Sequence, residues 1–245
     1  MKFSIKRVLS IILVTLFLFS CRDESKDTFI LGTITNLDKG TPLFLDHLTP
    51  SKIITKDTAI LDINGRFSFD SRIKESGYYR LKINNQTFLN LVLEKNDSPI
   101  INGNGKDLME SYTVDGSNES KRFKEFQAAY SQNDLFLDSL QKVLKANLND
   151  QKMMAQLQKS KDASISRMNN TFIGLINEKS GSLVSLAVVK QLDSVKYADF
   201  YKQVAEALTE KLYDDPWVIV FHKKVKSMDN LSIGKPAPEI TLNDP

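Results

Sequence analysis

Cys21 is the single cysteine among 245 residues, which excludes an intramolecular disulfide, a Cys-x-x-Cys redox pair and a cysteine-rich zinc site. Thiol–disulfide exchange needs one thiolate to attack sulfur and a second cysteine to resolve the mixed disulfide, so this stretch of chain alone has no route to it. The two histidines, His47 and His222, stand in different segments, with no His-x-x-x-His or carboxylate spacing that would specify a metal. Asp214-Asp215 resembles a carboxylate pair, but neighbours in sequence do not face one substrate. With Pro216 behind them they suit the start of a helix instead. Asn102-Gly-Asn-Gly105 has the glycines of a phosphate-cradling loop without its lysine or helix start, and reads as a turn. Lys223, Lys224 and Lys226 read as a solvated helix face. No Gly-x-Ser-x-Gly elbow, Walker loop or dinucleotide fingerprint occurs. The residues therefore nominate no catalytic group, no cofactor-binding set and no metal site.

What chemistry Cys21 does offer follows from its place. Lys2, Lys6 and Arg7 precede an apolar run from Val8 to Phe19, broken only by Ser10 and Thr15, and Ser20-Cys21 follows. The run is short for a spanning helix and suits a secretory leader. Leu18-Phe19-Ser20-Cys21 is similar to a bacterial lipobox, in which a small residue admits the peptidase and the cysteine thiol accepts diacylglycerol. On that reading residues 1–20 are a lipoprotein signal peptide and Cys21 is the lipidated N-terminus of the mature chain. An uncleaved anchor, or an ordinary secretory signal with a chance cysteine, are the alternatives. Residues 21–28 are a polar tether. Lys2, Lys6 and Arg7 also account for the whole formal charge of +3, and residues 1–20 hold no acid, so the remainder is formally neutral. A field that would attract nucleic acid is absent, and the expected partners are the membrane, through lipid, and a protein client or envelope ligand.

Two segments must carry whatever the anchor holds. From residue 29 to 116 short alternating runs separated by turn residues predict an antiparallel β sandwich or open barrel. Phe29–Thr35, Leu43–Asp46, Tyr79–Ile83, Phe88–Glu94 and Ile100-Ile101 are its expected strands. Asn64-Gly65, between Ala59–Ile63 and Phe67/Phe69, predicts a type I′ hairpin. From 117 to 230 the period lengthens to that of helices. Phe123, Phe126, Tyr130, Leu137, Leu140 and Leu144 mark one stripe on a helix from about Ser120 to Ala146. Met154, Leu157, Ile165, Met168, Phe172 and Leu175 mark a second, expected to pack back on it. Leu183–Leu192, Tyr197–Leu212 and Pro216–Ser227 predict three shorter helices. The fold class is α+β, a β unit followed by an all-helical segment.

The final stretch, Ile233-Gly-Lys-Pro-Ala-Pro-Glu-Ile-Thr-Leu-Asn-Asp-Pro245, must run extended, because Pro236 and Pro238 fix φ and push their predecessors out of the helical region. It resembles the opening of the thioredoxin-like domain in membrane-anchored thiol–disulfide interchange proteins of the TlpA/ResA type. Asp-x-Ala-x-Leu, Asn-Gly-Arg-Phe-Ser-Phe and Gly-Tyr-Tyr-Arg-Leu are similar to the accessory β domain, of unassigned function, in Bacteroidetes members of that family. The resemblance implies that residues 29–116 are this accessory domain, that 231–245 begin a thioredoxin-like domain cut off after its first motif, and that the active Trp-Cys-x-x-Cys would follow. It implies no cofactor beyond that cysteine pair, and a lipid-anchored place at the bacterial envelope. The periplasmic side of the outer membrane is the first reading and surface display the second. A free-standing binding or adaptor lipoprotein without enzymatic activity is the alternative function.

Overall fold

The computed structural model describes residues 30–147 and 150–230. The leader, Leu18-Phe19-Ser20-Cys21, the tether and Ile233–Pro245 lie outside the described residues. The described residues form eight strands, β1 Ile30–Thr35, β2 Pro42–Leu48, β3 Ile53–Ile60, β4 Arg66–Phe69, β5 Gly77–Lys82, β6 Phe88–Leu93, β7 Ile100–Asn104 and β8 Thr113–Asp115. The helices among the described residues are α1 Leu108–Ser111, between β7 and β8, α2 Asn118–Ala146, α3 Gln151–Glu178, α4 Leu183–Val189, α5 Ala198–Leu212 and α6 Pro216–Asn230. The α+β class expected from the pattern is what forms.

The strands make two four-stranded sheets, ordered β4-β1-β7-β8 and β3-β2-β5-β6. Every pair is antiparallel except β1 with β7, which run parallel. Ile30 and Ile34 of one sheet and Leu43, Leu45, Leu81, Leu89 and Leu91 of the other join one buried core, each such side chain worth roughly 1.5–3 kcal/mol when taken from water. Gly32 of β1 lies against β7; a Cβ there would collide with the Ile101 carbonyl.

Three expectations need correction. The Asn64-Gly65 hairpin does not form: β3 and β4 lie in different sheets, β3 on β2 and β4 on β1. Of the turn pair only Gly65 has positive φ, at +72°. Asp62 organises a corner instead, its Oδ1 accepting from Asn64 N at 2.7 Å and Arg66 N at 2.8 Å. Turn chemistry reversed the chain, while the need to cover Phe67 and Phe69 chose the strand partner. Asn102-Gly-Asn104 is strand rather than turn, since β7 is held between β1 and β8. The loop expected through Pro42 ends one residue earlier, with Pro42 opening β2.

In the second sheet β5 and β6 are covered on both faces, while β3 at its edge is largely exposed. Tyr79 and Leu81 point into the sandwich, whereas Tyr78 and Val92 belong to a second core with Phe123, Phe126, Phe172, Val188, Tyr201, Val204 and Phe221 from the helices. Tyr78 Oη donates to the Leu183 carbonyl at 2.6 Å, and Trp217 Nε1 to the Leu48 carbonyl at 2.9 Å. Sheet and helices thus share one interior.

Several helix starts have a local cause, though α1 and α5 have no side-chain cap. Ser117 accepts from Ser120 N at the head of α2, Asp150 from Met153 N at α3, and Ser182 from Ser185 N at α4. The two stripes meet as expected, α2 against α3. They do not lie in the core along their full length, however. From Gln127 to Ala163 no described side chain is buried, and Leu137, Leu140, Met154 and Leu157 are only half covered. Two helices can shield one seam, not bury it. Among the described residues no helix is long and apolar enough to cross a membrane.

Candidate functional site

The chemistry expected at individual residues is mostly dispersed. Cys21 and the lipobox residues Leu18, Phe19 and Ser20 lie outside the described residues. His222, Lys223, Lys224 and Lys226 are exposed on α6. Asp215 caps α6, accepting from Trp217 N at 2.8 Å and Val218 N at 3.1 Å. Asp214 is exposed, so the capping expected of both acids falls to Asp215 alone. Among the described residues no group of three or more His, Cys, Asp or Glu is disposed to hold a metal.

His47 is more embedded than its isolation in sequence suggested. A register shift between Leu45 and Asp46 leaves Lys56 as the extra residue of β3. Lys56 Nζ then reaches Glu75 Oε1 at 3.0 Å, and the same oxygen lies 3.4 Å from His47 Nδ1 without a hydrogen bond between them. The imidazole stacks on Tyr79, ring centroids 4.8 Å apart, over Gly77, where a Cβ would press on Nε2. Burial, the largest influence, holds His47 below the ordinary histidine value of 6.5; Glu75 and Asp215 oppose this and Lys56 adds to it.

That direction fixes a pH dependence. The unfolded chain takes up the proton at higher pH than the folded one, so the His47 contribution is complete above about 6.5 and is lost as pH falls. Asp97 and Asp215 are raised by burial and act in the carboxylate range with the opposite sign, their stabilisation fading as pH rises. Urea midpoints are therefore expected to fall from pH 7.5 to pH 5.5 in the parent and to stay flatter over that window in His47→Phe. Equal slopes would remove His47 from the account.

The densest constellation lies elsewhere, where β6 meets the helices. β6 is the edge strand of its sheet, and the first turn of α2 covers it. Ser120 Oγ donates to the Val92 carbonyl at 2.7 Å, and Ser117 Oγ lies 2.7 Å from Asp97 Oδ2. One step along, Glu119 and Arg122 sit on the same helix face as Phe123 and are buried with it, Glu119 at 2% exposure. The Arg122 guanidinium donates to Glu119 Oε1 at 3.0 Å, Ser182 Oγ at 3.0 Å, Glu178 Oε2 at 3.2 Å and the Leu175 carbonyl at 2.5 Å. One side chain thereby ties α2 to α3 and to the cap of α4.

Lys179 continues the network to the sheet, 2.8 Å from Glu94 Oε1 and 3.1 Å from Glu119 Oε1. Burial is the largest influence on it and pulls its pKa down, but the hydrogen bonds to Glu94 and Glu119 together prevail and leave it above the ordinary lysine value. Gly181 lets α5 approach: a Cβ would sit 2.8 Å from the Ala207 carbonyl oxygen. A cavity of about 270 Å³ remains between these elements, lined by Glu94, Glu119, Lys179 and Lys211 with Ser76 and apolar walls.

Sequence reasoning missed this site. The spacing Glu119-x-x-Arg122 on the apolar side of a helix was its one readable signal. Glu94, Lys179 and Lys211 join only through tertiary packing.

Comparison with known proteins adds one assignment. No curated protein and no solved structure matches the chain. No thioredoxin-like or TlpA/ResA family model matches it either, so that kinship rests on the resemblance alone. Residues 29–123 match the family model described as a domain of unknown function, DUF4369, a span that takes in all eight strands and closes just beyond Glu119 and Arg122 of the buried network.

Proposed function

We propose that this chain is an envelope lipoprotein, lipidated at Cys21, in which the β sandwich and helices are the non-catalytic mount of a thiol–disulfide interchange protein. The observation that supports it best is the shared interior. Ile30, at the start of β1, and Val225, in the last helix, belong to cores joined through the second sheet. A unit packed in this way holds whatever precedes and follows it at a fixed separation, as a mount must. Glu119, Arg122 and Lys179 serve as the fastening between sheet and helices. The motif Ile233–Pro245 supplies the direction of the proposal, since it resembles the first strand of a thioredoxin-like domain.

With no cysteine pair in these residues, the 245-residue chain is expected to give no turnover in an insulin-reduction assay. Reading the gene beyond codon 245 completes the test: a Trp-Cys-x-x-Cys supports the mount, and its absence, or turnover by the chain itself, overturns it. The second reading, a free-standing binding or adaptor lipoprotein, draws support from the cavity beside Glu119.

A further inference from the structure

We propose that the cleft where β5 and β6 meet α2, α4 and α6 binds a small aromatic carboxylate, its ring on Tyr78, Phe123 and Trp217 and its acid on Lys190, a site that does not depend on the mount reading. The cleft holds about 230 Å³ and is floored by rings from separate elements, Tyr78 of β5, Phe123 and Phe126 of α2 and Trp217 of α6. Tyr78 at 9% exposure, Phe123 at 7% and Phe126 at 8% are, with Val225, the least covered members of the helical core, whose others are at 4% or less. All three line this cleft.

The rings already run in series. Trp217 meets Tyr78 edge-on with centroids 5.5 Å apart, Tyr78 meets Phe123 at 6.2 Å, and Phe123 meets Phe126 at 5.7 Å. One more ring extends the series in the offset or edge-to-face manner that aromatic pairs prefer. The polar handles of the floor are spent, Tyr78 Oη on the Leu183 carbonyl and Trp217 Nε1 on the Leu48 carbonyl, so it offers apolar area and π faces.

Charge selects the other end of the ligand. Of the residues that line the cleft only Lys190 is charged. Its Nζ stands 5.5 Å from the centre of the Trp217 ring, which places the ammonium beside the floor, and it makes no ion pair among the described residues. Asp215, two residues before Trp217, is engaged by Trp217 N and Val218 N and does not line the cleft. Asn90 adds a donor: its Oδ1 accepts from Arg80 Nε at 3.0 Å, which leaves its amide hydrogens for an acceptor. An anion therefore finds a cation there and no carboxylate in the wall to repel it. A volume of about 230 Å³ is below the roughly 300–1,000 Å³ usual for larger ligands, and takes one ring with a short acid arm rather than a nucleotide.

Trp217 is the single tryptophan of the chain, so its emission reads the cleft directly. The test titrates the full chain with 3-phenylpropanoate, 3-phenylpropanamide and hexanoate at matched ionic strength, followed by emission and by calorimetry. The aromatic acid is expected to bind saturably, and the amide, without the charge, and hexanoate, without the ring, each about fivefold more weakly or not at all. Lys190→Met, on an exposed residue, is expected to weaken the acid about fivefold, the upper reach of one exposed ion pair, and to leave the amide unchanged. A merely structural lysine would move both. Ala187→Leu, which fills the cleft from α4, is expected to abolish binding in a variant that still melts cooperatively. Acetyl-Ala-Ala-Phe beside 3-phenylpropanoate tells a peptide C-terminus from a free acid, the tighter of the two being the source. The proposal is overturned by no saturable response to either acid at its highest soluble concentration, by the amide or hexanoate binding as tightly as 3-phenylpropanoate, or by equal affinity for the acid in Lys190→Met.

Discussion

Arg122→Met is expected to destabilise the fold by about 3 kcal/mol, the lower part of the range for breaking a buried ion pair from one side. The substitution keeps most of the packing volume and removes the charge. It removes the Arg122 partner of Glu119, at 2% exposure, and of the Leu175 carbonyl, while Ser182 Oγ keeps the hydrogen bond from Ser185 N. Lys179 stays within 3.1 Å of Glu119 Oε1, which is why the lower end applies. Glu178, largely exposed, returns to water at little cost. Against a total stability on the order of 5–15 kcal/mol such a loss is large, and urea denaturation followed by circular dichroism will read it.

The double variant Glu119→Leu with Arg122→Met sharpens the test. Once both charges are gone nothing charged is left stranded between them, so the pair replaced together should cost less than Arg122→Met alone. A single-variant loss within 0.5 kcal/mol of zero, the range of ordinary surface changes, would show that the network fastens nothing.

The second large effect concerns attachment. Cys21→Ser is expected to move the chain from the membrane to the soluble fraction and to abolish incorporation of radiolabelled palmitate. A serine hydroxyl cannot form the thioether to diacylglycerol, and each buried methylene of the lost lipid is worth about 0.8 kcal/mol, so nothing short of complete loss is anticipated. The formally neutral remainder of the chain offers no electrostatic substitute for the anchor. Intact mass of the parent should show lipid on Cys21 and no residues 1–20. Equal palmitate incorporation by parent and variant, or a parent with a free thiol and its leader attached, would defeat the lipoprotein reading.

How much was legible in the sequence varied with the range of the forces involved. The helix stripes were readable because a buried face recurs with the helical period whatever it packs against. Phe123, Phe126, Phe172 and Leu175 are buried as that stripe required, while Leu137 and Leu140, identical in pattern, are only half covered. Nothing local distinguishes the two sets; the distance from the sheet does. Asn64-Gly65 was correctly placed at a reversal, yet a turn specifies only that the chain changes direction. Whether its flanks pair depends on partners many residues away.

The buried network was the least readable part for a related reason. Glu119 and Arg122 are close in sequence, but Glu94 and Lys179 are brought to 2.8 Å only by the packing of α2 against β6 and of α3 against α2. Charged residues in sequence ordinarily denote solvated surface, so the local signal pointed away from burial.

By itself the sequence determined the succession of a β unit and a helical segment, the switch from alternating to helical period after Asp115, and the absence of a second cysteine from these residues, but not the short α1 and β8 or the start of β3 at Ile53. The features it determined are properties of neighbours along the chain or of composition. Tertiary structure alone decided that β5 and β6 are buried on both faces, that β3 and β4 part to opposite sheets, and that Glu119 meets Arg122 and Lys179. Those facts depend on contacts between residues far apart in sequence, and such contacts are chosen by the global competition for apolar cover and charge compensation, which no local window contains.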